Sequence, residues 1–453
     1  MSMKFIDQQT LKRSLFLAWP IALQSILTNL LSMIDVVMVS HLGDAAVGAV
    51  GLGNRFQFMI VVIILGISWA AGILSAQFYG AGKVDKIRST VGQACLLAGF
   101  VLIPIILLNI AFADRIIGLG SNDPEVIRQG KYYLWFTIPS LLLVAVILAY
   151  ESAIRSIGQV KVPMILSTIA IVANIALNFW LINGGLGVPP LGVAGAALAT
   201  AIARLLQVGL IFAFLYQQKH QLAFRRSDLP NVFDRNQLTH FLKLAAPMMA
   251  SFGVWSAGTF VYQIVFGRMG TQQLAVMSLL APIEAVFLSL FFGLSSACSI
   301  MVGQALGANR FNDAEVYARS FALMNPMVAF VFGIVVLLCR DIILSPFSGM
   351  DAETLRSAYN VFALVAMVTW LKVINMTLAM GVLRAGGDNK ACIIIDTFGM
   401  WVVSIPLTFF AAFYLKWPLF FVVLVTYSEE LAKVSLFIWQ ARRKRWMKNL
   451  TTI

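Results

Sequence analysis

Twelve continuous apolar runs, separated by short polar connectors, set the plan of this chain. They fall near 13–39, 46–76, 90–112, 130–153, 161–184, 191–216, 240–267, 273–303, 316–339, 357–383, 391–415 and 417–440. Each approaches the ~20 residues that an α-helix needs to cross ~30 Å of hydrocarbon. The short alternating segments of a membrane β-barrel do not fit runs this long. The pattern predicts an all-α membrane protein with twelve transmembrane helices. The run from Leu15 to Val39 is too long for a cleaved signal segment and is read as the first helix.

The pattern also repeats. Pro20 and Pro247 stand 227 positions apart, as do Gly43 and Gly270. Gly66, Ser68, Gln77, Gly80 and Ala81 recur at the same offset as Gly293, Ser295, Gln304, Gly307 and Ala308. Tyr132 recurs as Tyr359. Arg155, Gly158 and Lys161 recur at offset 229 as Arg384, Gly387 and Lys390. Six spans per half is an even number, so both halves enter the membrane in the same direction. The expected fold is two six-helix lobes related by a parallel pseudo-two-fold repeat. The expected divisions are 1–216 for the N-terminal lobe, 217–243 for a cytoplasmic linker and the start of the seventh helix, and 244–453 for the C-terminal lobe. Two such lobes can rock about a central cleft, which points to transport; a duplicated scaffold or a membrane-embedded enzyme are the other readings.

Composition agrees with a bilayer as solvent. Of 453 residues, 60% are apolar and 12% charged, and the mean hydropathy is +0.86. Soluble domains carry roughly twice that charge. The net charge of +13 sits in the connectors, where it reads as a topology signal rather than as nucleic-acid binding. With the N-terminus inside, the inner segments hold 22 Lys and Arg and the outer ones 7. Both termini are therefore expected in the cytoplasm. Four cysteines without a CxxC pair and three histidines give no basis for a disulfide framework or a metal site. No GxxxxGK[ST] phosphate loop, HExxH or GxSxG motif is present, so the chain is expected not to be an enzyme and to use no cofactor, drawing on an ion gradient.

Ionisable residues inside spans are costly and mark function by default. The acids are Asp35, Glu284, Asp396, Glu429 and Glu430, and the bases Arg55, Arg204, Lys372 and Lys433. Asp35 lies ~30 Å along the first helix at 1.5 Å per residue, in the outer half of the membrane. Asn174 and Asn178 share one face of the fifth helix at i, i+4, and Thr200 lies at similar depth on the sixth. Two amides and a hydroxyl can solvate a carboxyl in either protonation state, so Asp35 is the candidate proton-coupling residue. The other reading is a structural carboxylate. Pro20 removes a backbone hydrogen bond on the same helix and is a candidate hinge, or a fixed kink. Arg204, one turn from Thr200, is a candidate counter-charge. Glu284 and Lys372 either pair as a salt bridge or meet a substrate or a second ion. Glu429 and Lys433, at i, i+4, are expected to pair. Asp396, near the cytoplasmic end, is expected to reach water.

Taken together, the Ala-Trp-Pro start at Ala18 to Pro20, the stretch from Gly66 through Gln77 to Gly80, and the two Arg-x-x-Gly-x-x-Lys turns resemble the multidrug and toxic compound extrusion (MATE) family. The resemblance covers nearly the whole chain. It implies two lobes around a V-shaped cavity, with proton or sodium gradients driving efflux of cationic drugs. The DinF-like branch carries an acid on the first helix, matched by Asp35, and a polar cluster matched by Asn174, Asn178 and Thr200. Some members have aspartate where this chain has Asn178, which weakens the case for sodium. The NorM-like branch carries acids on the seventh and tenth helices, and neither span has one here.

The function expected is a secondary active multidrug efflux antiporter. It exports amphipathic or cationic compounds, drugs or toxic metabolites, in exchange for protons by alternating access. The alternatives are a sodium-coupled drug antiporter and a lipid-linked precursor flippase, for which Arg55, Arg204 and Lys372 are the candidate phosphate-facing residues. The expected setting is the cell inner membrane, as a monomer among lipids.

Overall fold

The computed structural model of the chain describes residues 8–185, 187–345 and 351–452. The first half runs α1 (Gln8–Ser40), α2 (Asp44–Gly80), α3 (Val84–Gly118), α4 (Pro124–Thr137), α5 (Leu141–Ser156), α6 (Lys161–Asn183) and α7 (Gly192–Gln217). A polar connection follows, with a 3-10 turn at Arg226–Asp228 and α8 (Leu229–Val232). The second half runs α9 (Arg235–Met269), α10 (Thr271–Gly307), α11 (Phe311–Leu338), the short α12 (Arg340–Leu344) and α13 (Ala352–Met376). Next come α14 (Asn389–Thr397), α15 (Ile405–Phe409), α16 (Leu419–Thr426) and α17 (Ser428–Arg442). Thr377–Leu383 prolongs α13 with π-helical winding, and Phe398–Ser404 and Phe410–Tyr414 do the same on either side of α15.

Among the described residues, ten helical stretches are long and apolar enough to cross a membrane singly, and α4 with α5 forms an eleventh, bent by 42°. The run expected at 417–440 is α16 and α17, joined at Tyr427. Glu429, Glu430 and Lys433 at the start of α17 lower its apolarity. The chain is thus an all-α multi-pass membrane protein.

The repeat is written into the element boundaries. α2 and α10 each run 37 residues and start 227 positions apart, as do α1 and α9, and α3 and α11. α4 and α13 open alike: the side chain of Asp123 accepts from the Glu125 amide and that of Asp351 from the Glu353 amide, each relieving an orphan donor of the first turn. The repeated Arg-x-x-Gly-x-x-Lys turns have a backbone cause. Gly158 and Gly387 sit at φ 88° and 82°, left-handed conformations that glycine adopts without a Cβ clash.

The described chain packs as two compact units. One gathers the chain up to Ser25 with Ala250–Thr452, the other Ile26–Met249. α1 and α9 therefore each change unit midway. The divisions 1–216, 217–243 and 244–453 follow the repeat, whereas these units follow packing, and the two differ by the first halves of α1 and α9. Within each unit a repeat-related glycine admits the visiting helix. A Cβ on Gly66 of α2 would stand 2.8 Å from the Met249 Cα, and one on Gly293 of α10 would collide with the Ala18 carbonyl and lie 2.9 Å from the Ala22 nitrogen. Small residues at such crossings let backbones approach closely where lipid supplies no hydrophobic drive.

Candidate functional site

In the unit Ile26–Met249, four residues singled out from sequence form one hydrogen-bonded line. Asn178 Nδ2 donates to Asp35 Oδ1 at 2.7 Å and to Asn174 Oδ1 at 3.1 Å. Asn174 Nδ2 reaches Thr200 Oγ1 at 3.4 Å, and Thr200 donates to the Ala196 carbonyl of its own helix. Asn174 and Asn178 are buried while Asp35 keeps partial exposure. Among the described residues the buried Asn178 Oδ1 has no hydrogen-bond partner, so the amide beside Asp35 offers both a donor and an acceptor. One turn further along α1 and α6, Met38, His41, Phe179 and Asn183 line a hollow of about 330 Å³.

Arg204 lies close enough to act electrostatically on Asp35. Its guanidinium donates elsewhere, to Ser140 Oγ at 2.6 Å and the Thr137 carbonyl at 3.5 Å. Both partners sit at the break between α4 and α5, where the bend frees backbone groups that water cannot reach. The arginine thus mends the bend and charges the neighbourhood of Asp35 together. Sequence reasoning missed two polar residues of this unit. Tyr133 hydrogen-bonds Asn54 Oδ1 at 2.6 Å and also feels Asp35; no spacing marked it among the aromatics of α4. Glu151 is buried and accepts from Arg155, Ser167 and Gln207. Its i, i+4 spacing from Arg155 was a legible signal.

The other unit holds a longer ionic chain. Lys372 Nζ meets Glu284 Oε1 at 2.5 Å, with both side chains partly exposed, and lies over the Tyr427 ring. Glu429 pairs with Lys433. Asp396 does not simply reach water: Arg384, Lys433 and Ser251 all contact it, which makes it part of an internal network. Asn375 Nδ2 donates to Glu430 Oε2 at 2.6 Å. Tyr262 stands at the repeat position of Asp35, with its hydroxyl within hydrogen-bond distance of both Glu429 and Ser404. Arg55 is exposed. Pro20 lies inside α1, in a different compact unit from Asp35.

Comparison with known proteins follows the same plan. The MatE family profile matches residues 20–180 and 247–410, one block in each half. The probable multidrug resistance protein NorM of Photorhabdus laumondii is 27% identical over 415 residues, covering 90% of this chain and 89% of its own. YoeA of Bacillus subtilis, a probable multidrug resistance protein, is 26% identical over 97% of this chain and 94% of its own. Among solved structures, an outward-facing multidrug resistance MATE transporter superposes with a TM-score of 0.87 at 18% identity, covering 97% of this chain and 98% of that one. The Vibrio cholerae MATE transporter VcmN in its bent form gives 0.84 at 19% identity over 96% of both chains. With both repeats matched in order and the fold shared along the whole length, the chain belongs to the MatE family of multi-pass membrane proteins.

Proposed function

We propose that this protein is a secondary active efflux antiporter that exports amphipathic or cationic compounds in exchange for protons by alternating access. The observation that carries the reading is Asp35 held at 2.7 Å by the amide of Asn178, itself buried, with Asn174 and Thr200 behind it. An intramembrane carboxyl whose hydrogen-bond partner is neutral, with Arg204 acting at a distance, can exchange a proton without breaking an ion pair. A single proton moved through 100 mV supplies ~2.3 kcal/mol, enough for roughly a 50-fold gradient of a neutral substrate, whereas for a monovalent cation exchanged one for one the charges cancel and the pH difference is the drive. The names of the relatives, multidrug resistance proteins, support small-molecule cargo. The match of Asp35 and its cluster favours the DinF-like branch. The excess of Lys and Arg on one side supports the bacterial inner membrane with both termini in the cytoplasm. Nothing in this reading calls for a resident cofactor, a catalytic step or a second copy of the chain.

Efflux of a cationic dye from vesicles under an imposed pH gradient tests it. Native protein is expected to follow the proton gradient without sodium, and Asp35→Asn to lose the response. Dye efflux that needs sodium would move the assignment to a sodium-coupled antiporter. Translocation of a labelled lipid-linked phosphate without dye efflux would move it to a flippase.

A further inference from the structure

In the unit containing Ala250–Thr452, the carboxyls of Glu284, Asp396, Glu429 and Glu430 stand among the cations Lys372, Arg384 and Lys433. Three of the acids have a cation in contact: Glu284 with Lys372, Asp396 with Arg384, and Glu429 with Lys433. The fourth of this group is Glu430. Among the described residues it makes no ion pair, and its contact is the amide of Asn375, which donates from Nδ2 to Glu430 Oε2 at 2.6 Å and to the Glu430 carbonyl at 2.9 Å. Asn375 is 6% exposed, and its Oδ1 has no partner among the described residues. The same signature marks Asp35: a partly exposed acid, a buried asparagine donating from nitrogen, and an orphan amide oxygen beside it.

An asparagine so placed serves both forms of a carboxyl. Its NH₂ donates to the carboxylate, and after a half-turn its oxygen accepts from the protonated acid. An unmet buried acceptor is unfavourable, so the orphan oxygen favours a proton on its neighbour. We propose that Glu430 is a second proton-carrying carboxyl, housed in the unit that lacks Asp35 and served by Asn375. Around it stand Lys372 from α13, Glu284 from α10, Tyr262 from α9, Asp396 from α14, and Tyr427, Glu429 and Lys433 from its own pass. The fixed cations and their partner acids hold the local charge near neutral, so Glu430 is the member free to change. The proposal extends proton coupling from one unit to both.

Infrared titration in lipid films reads it, because the C=O stretch of a protonated carboxyl is absent from a carboxylate. Asp35→Asn is expected to show one titrating band fewer than native protein, an arm that tests Asp35 alone. Asp35→Asn with Glu430→Gln is expected to lose one band more. An equal number of bands in the single and double variants overturns the proposal, whatever Asp35 does. Glutamine keeps the size of Glu430 and its contact with Asn375. Should the double variant misfold, Asn375→Leu in the Asp35→Asn chain is expected to shift the remaining band's midpoint by about one pH unit, and an unshifted midpoint overturns it equally.

Discussion

At the scale of single residues, the Asp35 line turns on one amide. Replacing Asn178 by leucine removes a hydrogen bond to a charged group, worth about 1.5–3 kcal/mol. Proton-driven dye efflux is expected to fall roughly tenfold or more, read in vesicles matched for protein amount, together with a lower melting temperature in detergent. The residues of this line were legible because the membrane makes a lone acid and paired asparagines conspicuous, and because i, i+4 spacing fixes which face they share. Glu430 was legible as an intramembrane acid, but its bond to Asn375 joins positions 55 apart on different helices, and no local spacing encodes that. Tyr133 stayed hidden for the same reason. Asp396 was misjudged because depth along a helix says nothing about the guanidinium waiting beside it.

At the scale of elements, breaks carry as much meaning as helices. Arg204 closes the gap between α4 and α5 by donating to Ser140 and the Thr137 carbonyl. Arg204→Met keeps the bulk and removes the donors, so a loss of about 2–3 kcal/mol is expected, seen as a lower melting temperature in detergent. The connection after α7 is anchored likewise. Buried Arg88 on α3 grips buried Asp228 through Nε at 2.8 Å, and Gln93 reaches the Asn231 and Val232 carbonyls. Burial opposes ionisation of Asp228, but the Arg88 hydrogen bond prevails and holds its carboxyl below the usual range. A depressed acid stabilises above its unfolded value near ~3.9 and loses that contribution as pH falls through its folded value. Asp228→Asn is expected to cost about 3 kcal/mol, the lower end for a broken buried pair because Asp85 still faces Arg88. Faster proteolysis between residues 217 and 234 would report it. The spans themselves were readable from apolar length alone. The π-wound segments and the joint at Tyr427 were not, since they follow from packing between distant helices.

At the scale of the whole molecule, the repeat predicts the helices but not how they are shared. The halves of α1 and α9 change unit, and the glycines that admit them, Gly66 and Gly293, were visible only as repeat matches. Gly293→Val forces a side chain against the Ala18 carbonyl and Ala22. A cost of about 1–3 kcal/mol is expected, with a lower melting temperature, whereas the same change at Gly99, which has open space around it, should be silent. The exchanged halves also set a schedule for biogenesis. Ala18 leaves the ribosome some 275 residues before its partner Gly293. At roughly 5–20 residues per second, the start of the first helix waits on the order of tens of seconds for its groove. During that interval its alanine face has lipid or a membrane chaperone for company, and the unit it founds is the last to close.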